Sequence, residues 1–301
     1  MIKLLFLGND GNLIKELHKD RRIELIGVVG DSVSNNVKKY FGSSRDFGLR
    51  LGIPVISMCD FKGNPLVFIK REFNGATMGF SQGYHYRVPK SVINVFPDGI
   101  VNFHQSLLPF YRGRHPLNWA IINNEPFTGI TFHFMNQNFD EGDIIFQKKI
   151  KISPNDTIIT LYNKTIKEGN KAVPRIIDIL SSGHNTRSQR GKSSYYAARK
   201  PKDGEIISAY PVNRALNMIK ALVFPYPGAF VKLGKKIIII EQAKGIYPRN
   251  NKSHFLEKTG LFWHNGGFFF RLSDGLIKID KIRIGNMIVK PSTALNKDIN
   301  G

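Results

Sequence analysis

The amino-acid sequence predicts an α/β protein, with a Rossmann-like domain built on a parallel sheet and a smaller, β-rich domain that contains an OB-like barrel. Up to residue 183, short apolar runs bounded by glycine alternate with helical patterns, as expected for buried parallel strands joined by right-handed crossovers. Beyond residue 204, apolar segments follow one another with turn signals between them, which is typical of a small barrel. We therefore predict an α/β domain at residues 1–183, a polar linker at 184–203 and a β-rich domain at 204–301.

The apolar runs of the first domain predict its elements in order. Residues 2–8 and 23–30 are rich in apolar side chains and end at glycine, so both are interpreted as buried parallel strands. Between them, Leu13 and Leu17 lie four residues apart, which is the spacing of one helix face. The same reasoning predicts helices at residues 45–51, 89–96 and 158–180, and strands at residues 53–57, 75–81, 99–104 and 144–152.

In the second domain, a helix is predicted at residues 212–223 and strands follow it. The segments KKIIIIEQA, GLFWHNGGFFFRLSDG and LIKIDKIRI are apolar and separated by turn residues. GGFFFRL and LIKIDKI flank the sequence SDG, which is a turn signal. We therefore expect these two strands to pair as a hairpin.

Cysteine content and hydropathy limit the kind of protein this can be. Cys59 is the one cysteine of the 301 residues, which excludes an internal disulfide and a cysteine zinc site, and we expect it to be a small buried residue. The apolar run at the N-terminus is too short for a signal peptide, and no stretch approaches the ~20 apolar residues that span a bilayer. We predict a cytoplasmic protein without a transmembrane segment.

The chain carries a formal net charge of +21, which is unevenly distributed. Residues 1–183 hold 23 basic and 16 acidic residues, whereas residues 184–301 hold 21 basic and 7 acidic residues, a net charge of +14. Such a segment suits a polyanionic partner: RNA, an anionic membrane surface or a phosphorylated substrate. Because the cations are scattered along the sequence, a solvated basic surface explains the charge equally well.

A segment near the middle of the chain carries the polar groups of a candidate active site. Asn102 and His104 lie two residues apart at the end of a predicted strand, so their side chains point to the same side. In parallel α/β sheets the site lies at the carboxyl ends of the strands. Asp140 follows a second apolar strand, from which it could return to orient the imidazole. An amide and an imidazole placed in this way can converge on one carbonyl group. His115 and His133 are not needed for that arrangement and are left out of the predicted site.

The combination of NFHQSLLPFYRGRHP with TGITFHFMNQNFDEGDII resembles the folate-dependent formyltransferases, which move a formyl group from 10-formyltetrahydrofolate to an amine. The resemblance extends over nearly the whole chain and implies that residues 1–183 are the catalytic domain. It implies that Asn102 stabilises the oxyanion of a tetrahedral intermediate. It also implies that His104 carries the proton from the amine to the departing folate nitrogen, while Asp140 orients His104 and favours its protonated form.

The same resemblance implies a folate site formed by three parts of the sequence. The segment YHYRVP supplies an aromatic surface and main-chain polar groups that suit a flat heterocycle. From its chemistry alone, Arg112 is as good a candidate as Arg114 for contact with a phosphate or carboxylate. No residue predicts a metal requirement, and 10-formyltetrahydrofolate is the expected co-substrate. The implied cofactor-binding residues are Tyr86, Arg87, Val88, Arg114, Asn136, Gln137, Asn138 and Phe139.

The sequence is similar to two branches of this family. Three parts of the chain are similar to the sugar-nucleotide N-formyltransferases, and above all to the enzyme that formylates UDP-4-amino-4-deoxy-L-arabinose. They are YRGRHPLNWAIINNE, YFGSSRDFGLRLGIPV, and ARKPKDGEI with FPYPGAF. This similarity implies a UDP- or dTDP-linked amino sugar as the substrate and a role in lipopolysaccharide or other cell-surface polysaccharide synthesis. It is also compatible with a homo-oligomer. The basic second half favours the alternative, a methionyl-tRNA formyltransferase with tRNA as its partner. A third hypothesis is an inactive formyltransferase scaffold that binds RNA or a membrane.

Overall fold

The structure, a computed structural model, describes residues 1–183, 185–247 and 260–292. These residues form two compact units. The first unit contains Met1–Pro116, Phe127–Lys151 and Tyr162–Ala197, and the second contains Leu117–Pro126, Ile152–Leu161 and the described part of Ala198–Gly301. The domain boundaries at residues 183 and 204 stay a prediction, and residue 184, where the predicted linker begins, lies outside the described residues.

A seven-stranded sheet forms the centre of the first unit. The strands of this unit are β1 (Ile2–Leu7), β2 (Ile23–Val29), β3 (Val55–Ile56), β4 (Met78–Ser81), β5 (Ile100–His104), β6 (Arg112–Gly113), β7 (Phe127–Phe134), β8 (Ile144–Lys151) and β9 (Tyr195–Tyr196). The sheet order is β3-β2-β1-β4-β5-β7-β8, while β6 and β9 form a separate parallel pair. The strands from β3 to β5 in this order pair in parallel, as the sequence predicts.

The edge of the sheet formed by β7 and β8 differs from the predicted parallel arrangement. β7 is antiparallel to both of its neighbours, β5 and β8. The connection from β7 to β8 covers residues 135–143. A connection of this length is too short for the crossover of a dozen or more residues that parallel neighbours require. The fold class is as predicted, with an antiparallel extension at one edge.

Serine side chains begin three of the helices in the first unit. Along the chain up to residue 181 the helices are α1 (Leu13–Lys19), α2 (Asn35–Phe41), α3 (Ser44–Arg50), α4 (Met58–Gly63), α5 (Pro65–Arg71), α6 (Lys90–Ile93), α7 (Pro116–Ile122) and α8 (Ile158–Ser181). Of these, α7 after Pro116 and α8 up to Leu161 belong to the second unit. Ser34, Ser43 and Ser57 precede α2, α3 and α4, and each side-chain oxygen accepts a hydrogen bond from the backbone N–H three residues later. Such caps satisfy donors that the helix itself leaves unpaired.

A buried apolar cluster supports the loop that follows β4. Leu5, Phe61 and Phe73 are almost completely buried and belong to one cluster between the sheet and its helices. Tyr84 and Tyr86, in the loop after β4, pack against this cluster with partly buried rings. The loop therefore packs on a buried apolar base at the carboxyl end of the parallel strands, where the predicted site lies.

Cys59 is exposed, which corrects the expectation that it is buried. It lies on α4, where Met58 and Phe61 are the buried residues. These two residues are three positions apart and define the inward face of the helix. Cys59 follows Met58 by one position and consequently points to the solvent.

The second unit is built on an antiparallel sheet. It contains a 3-10 helix (Pro201–Gly204), α9 (Val212–Ala221) and the strands β10 (Ala229–Leu233), β11 (Lys236–Ile246), β12 (Leu261–His264), β13 (Gly267–Arg271), β14 (Leu276–Ile284) and β15 (Met287–Val289). The order is β10-β11-β14-β13-β12, with β15 also paired to β14. β13 and β14 pair antiparallel across SDG, which confirms the predicted hairpin.

A buried ion pair joins β11 and β14, and its disruption should destabilise the second unit. Arg283 Nε lies 2.7 Å from Glu241 Oε1, with side chains only 8% and 5% exposed. Arg283→Ala leaves the Glu241 carboxylate buried without its partner, so we expect the free energy of unfolding to fall by about 3–5 kcal/mol. Burial raises the pKa of Glu241. The hydrogen bond from Phe224 N–H and the charge of Arg283 lower this pKa, but by less than burial raises it. The loss should therefore be larger at pH 8 than at pH 5, where protonation relieves the unpaired charge.

Urea unfolding followed by tryptophan fluorescence would measure this loss, because both tryptophans, Trp119 and Trp263, belong to the second unit. Lys232→Ala is the matched control. Lys232 Nζ also lies 2.7 Å from a carboxylate, that of Glu205, but the two side chains are 54% and 32% exposed. An exposed pair of this kind contributes at most about 1 kcal/mol. Equal effects of the two substitutions would contradict the structural role of the buried pair.

Asp10, after β1, should make the stability of the first unit depend on pH. Burial raises the pKa of Asp10 to about 6, although hydrogen bonds from Tyr162 and Asn12 oppose the shift. A folded-state pKa above the ordinary value means that the folded protein holds the proton longer, so stability falls as pH rises from about 4 to above 6. Asp10→Asn removes this fall. Relative to the wild type, the free energy of unfolding of the variant should therefore increase by about 2–3 kcal/mol between pH 4 and pH 7.5. Urea unfolding at the two pH values would test this, and a constant difference between the proteins would refute it.

Candidate active site

The antiparallel strands β5 and β7 bring the amide and two imidazoles of the site together. Asn102 on β5 is the direct partner of His133 on β7, so their side chains lie on the same face of the sheet. Asn102 Nδ2 lies 3.1 Å from His133 Nε2. His104, two residues along β5, presents its ring on that face as well, with its centroid 6.5 Å from that of His133.

Asp140 lies between these three side chains. Its Oδ1 atom is 3.3 Å from Asn102 Nδ2, 3.5 Å from His104 Nδ1 and 3.6 Å from His133 Nε2. Its Oδ2 atom accepts a hydrogen bond of 2.8 Å from the backbone N–H of Gly113. The three residues predicted for catalysis, Asn102, His104 and Asp140, are therefore brought into one cluster.

Asp140 is ionised despite its burial. The side chain is only 12% exposed, and burial by itself raises the pKa of the carboxyl group. The charges of His104 and His133 and the hydrogen bonds from His133 and Gly113 N–H outweigh burial and hold the pKa of Asp140 well below its usual value. The negative charge is consequently present throughout the neutral and mildly acidic range.

The polar groups of the cluster orient one another. His133 Nδ1 lies 2.8 Å from the backbone oxygen of Phe134. This contact requires a hydrogen on Nδ1. In the neutral ring, Nε2 can then accept a hydrogen bond from Asn102, whereas in the protonated ring Nε2 carries a hydrogen and faces Asp140 Oδ1, 3.6 Å away. His104 Nε2 lies 2.7 Å from the backbone oxygen of Tyr111, while Nδ1 faces Asp140. Both nitrogens of His104 thus face oxygen acceptors, and the protonated ring can donate to both.

Sequence reasoning missed two residues of this site. His133 was set aside, yet it contacts both Asn102 and Asp140. The signal was present in principle, because alternation along β7 places His133 on the same face as Thr131, but the register with β5 is not visible in the sequence. Gln189, in the segment assigned to the linker, hydrogen-bonds to the backbone of the loop around Asp140. A glutamine in a polar stretch carries no local signal of such a role.

The segments predicted to bind folate lie side by side. Arg87 Nε donates a hydrogen bond of 2.7 Å to the backbone oxygen of Gln137. Arg114 Nη2 donates one of 2.6 Å to the backbone oxygen of His85. These bonds connect the loop after β4 with the loop after β7 and with the end of β6. Arg112, the alternative to Arg114, instead forms an ion pair of 2.7 Å with Glu141.

The remaining predicted folate residues differ in exposure. Val88 is buried, and Tyr86 is partly buried, with Lys62 Nζ 4.7 Å from the centre of its ring. Asn136 and Asn138 are exposed, and Asn138 donates a hydrogen bond of 2.9 Å to Glu141. Phe139 is 46% exposed, next to the partly buried Asp140. The two loops therefore present apolar and aromatic surface beside main-chain polar groups.

Two further observations concern the described residues only. Among residues 1–183, 185–247 and 260–292, no group of three or more His, Cys, Asp or Glu side chains could hold a metal ion. In the same part of the chain, the helices lack the combination of length and apolar content that is needed to cross a membrane.

The amide of Asn102, the imidazole of His104 and the carboxylate of Asp140 thus lie together at the carboxyl end of β5 in the Rossmann-like sheet. Residues 79–177, which contain the whole cluster, match the formyl transferase family. The segment that carries the site is therefore similar to that family.

Solved structures share the fold over most of the chain. An N-formyltransferase from Helicobacter canadensis, solved with folinic acid and dTDP-3-aminofucose, is 21% identical, covers 94% of this chain and 100% of its own, and has a TM-score of 0.67. WlaRD, a sugar 3N-formyltransferase solved with dTDP and 5-N-formyl-THF, is 21% identical over 95% and 99%, with a TM-score of 0.66. A methionyl-tRNA formyltransferase from Clostridium thermocellum is 21% identical over 81% and 93%, with a TM-score of 0.56. These similarities confirm the predicted fold class.

Proposed function

We propose that the protein transfers the formyl group of 10-formyltetrahydrofolate to the amine of a nucleotide-linked amino sugar. The observation that carries the proposal is the position of Asp140 Oδ1, within 3.5 Å of both the Asn102 amide and the His104 ring. The formyl transferase match of residues 79–177 supports the reaction class. The likeness to N-formyltransferases solved with folates and with dTDP or a dTDP-sugar supports the donor and the acceptor. A role in cell-surface polysaccharide synthesis, including lipopolysaccharide, fits such a product.

The reaction needs a donor for the oxyanion. The amine nitrogen attacks the formyl carbon, the formyl oxygen gains negative charge, and the bond from this carbon to folate N10 then breaks. Asn102 is the proposed donor, because an amide carries hydrogen-bond donors that do not titrate. Its two amide hydrogens face His133 and Asp140. One of them must turn to the oxyanion, where a preorganised donor contributes about 3 kcal/mol.

The reaction also moves one proton from the attacking amine to folate N10. His104 is the proposed carrier, because imidazole accepts and releases protons near neutral pH. Its Nδ1 faces the Asp140 carboxylate, which holds the ring in one orientation. Its Nε2 is bonded to the Tyr111 carbonyl at 2.7 Å. We infer that Nε2 exchanges this carbonyl for the reacting groups when substrates bind.

The folate is proposed to lie along the loops after β4 and β7. Tyr86 and Val88 provide aromatic and apolar surface at the first loop, and residues 136–139 provide the second. The Arg87 contact to Gln137 holds the two loops at a fixed separation. Arg114, which is exposed, is proposed to meet a carboxylate or phosphate.

Methionyl-tRNA is the second candidate for the acceptor. Two observations favour it: the likeness to the methionyl-tRNA formyltransferase over 81% of this chain, and the net charge of +14 in residues 184–301. Binding of a tRNA to such a surface releases counterions, so its affinity falls steeply with salt. A nucleotide sugar carries two phosphates and should bind with a much weaker salt dependence.

A parallel assay with both acceptor classes tests the proposal. Formyl transfer from 10-formyltetrahydrofolate would be measured with UDP- and dTDP-linked amino sugars and with methionyl-tRNA, at low and high salt. Turnover of a sugar nucleotide alone is the expected result. Turnover of methionyl-tRNA alone would replace the proposed acceptor, and the absence of transfer to either class would refute the proposed function.

A further inference from the structure

We infer that Gln189 is a positioning residue that holds Asp140 in its place between His104 and Asn102. The inference deepens the proposed function, because it gives a role in formyl transfer to a residue outside the predicted catalytic set. It rests on a network of hydrogen bonds in which Gln189 is the junction of three chain segments: residues 112–113, residues 140–142 and the segment that contains Gln189 itself.

Both the nitrogen and the oxygen of the Gln189 side-chain amide form hydrogen bonds. Nε2 donates to the backbone oxygens of Asp140, at 2.8 Å, and of Gly142, at 2.9 Å. Oε1 accepts from Arg112 Nε at 3.2 Å and from Arg112 Nη2 at 2.8 Å. Both amide hydrogens and both acceptor positions of the oxygen are thereby used. A side chain that is saturated in this way holds one orientation.

This network acts on the backbone that presents the catalytic carboxylate. Asp140 has a φ of 56°, in the left-handed region that residues other than glycine rarely adopt. The bonds from Gln189 to the carbonyls of Asp140 and Gly142 stabilise this strained turn. On the other side, Asp140 Oδ2 accepts from Gly113 N–H, and Gly113 follows Arg112, which Gln189 also binds. The carboxylate is therefore fixed from two directions through one side chain.

The chemistry of the amide is what the position requires. Glutamate at position 189 would keep the acceptor for Arg112 but would set a carboxylate against two carbonyl oxygens. Methionine would keep the length of the side chain and lose all four bonds. If Gln189 acts through Asp140, both Gln189→Glu and Gln189→Met should lower kcat about 10- to 100-fold, because Asp140 no longer orients His104.

The kinetic test uses a double-mutant cycle with Asp140→Asn. A residue that acts through Asp140 has little left to affect once Asp140 is replaced, so Gln189→Met should lower kcat less than threefold in the Asp140→Asn background. Additive losses would overturn the inference. Arg187→Ala is the control, because Arg187 lies in the same segment and its guanidinium bonds instead to Gln147. This control should keep the wild-type rate.

A second measurement needs neither folate nor acceptor, so it separates this inference from the proposed function. Amide hydrogen exchange of the free protein would be compared at three neighbouring positions. Gly113 N–H donates to Asp140 Oδ2, whereas the N–H groups of Arg112 and Arg114 donate to the backbone oxygens of Ser194 and Tyr196, both at 2.9 Å. Gln189→Met should speed exchange at Gly113 at least tenfold and leave the other two within about threefold.

Each outcome of the exchange experiment decides the inference. Faster exchange at all three positions would mean that Gln189 only holds the chain segments together, and unchanged exchange at Gly113 would mean that Asp140 does not depend on it. Either result would overturn the positioning role. Should Gln189→Met fail to fold, Gln189→Asn replaces it, because the shorter amide cannot reach both segments at once. If the wild-type protein transferred no formyl group at all, the exchange result would still stand.

Discussion

Replacement of His104 by alanine is expected to lower kcat of formyl transfer about 10²- to 10⁴-fold, the range found when a general acid–base group is removed. The side chain lies at the end of β5, 93% buried, with its two nitrogens facing Tyr111 O and Asp140. The neighbouring imidazole, His133, is bonded instead to Asn102 and to the Phe134 carbonyl, so it is not placed to take over this role. Release of tetrahydrofolate, followed at saturating donor and acceptor, measures the effect.

His18→Ala is the matched control for this experiment. His18 is an exposed histidine on α1, whose ring makes an edge contact with Phe47, 5.7 Å between centroids. Its replacement should leave kcat within about twofold of the wild type. Circular dichroism of the two variants would exclude a folding defect. Turnover by the His104→Ala protein at the wild-type rate would show that another group carries the proton, and it would refute the proposed mechanism.

Asp140→Asn is expected to lower kcat at least about 100-fold while the fold is kept, because it removes charge without changing size. Asp140 is ionised in the wild type, since its neighbours hold the pKa of the carboxyl group well below its usual value. In the variant the protonated form of His104 loses the carboxylate that it faces at 3.5 Å. The pH dependence of kcat should therefore differ between the variant and the wild type.

The pH–rate profiles of the wild type and of Asp140→Asn measure this difference, with Asp143→Asn as the control. Asp143 lies in the same loop, is exposed, and contributes its backbone oxygen to Phe134 N–H. The control should keep both the rate and the profile of the wild type. An Asp140→Asn protein with an unchanged rate and profile would show that the carboxylate does not orient His104.

The strands of the first unit could be predicted because their signal is local. Runs such as Ile2–Leu7 and Ile23–Val29 are apolar on both faces, which is the pattern of strands covered by helices on each side. Asn102 and His104 could be placed on one face because side chains alternate strictly along a strand. The antiparallel pairing of β7 with β8 was not predicted, because it depends on the length of a connection whose ends are uncertain in the sequence.

The exposure of Cys59 is a second feature that local sequence patterns do not predict. Cysteine is usually buried, and composition therefore predicted a buried residue. The position of one residue on a short helix depends on which neighbours face the sheet, and Met58 and Phe61 occupy that face. The general preference of cysteine for burial does not indicate which face of the helix is buried.

The sequence by itself determined the fold class, the place of the site at the end of β5 and the pairing of an amide with an imidazole. These features follow from periods of two and three to four residues, which are properties of the local chain. Only the tertiary structure decided that His133 lies 3.1 Å from Asn102 and that Gln189 holds the loop around Asp140. Those contacts depend on the register between β5 and β7 and on bonds from a side chain to a distant backbone. Neither leaves a periodic trace in the sequence, because each is fixed by the packing of segments that lie 31 to 49 residues apart.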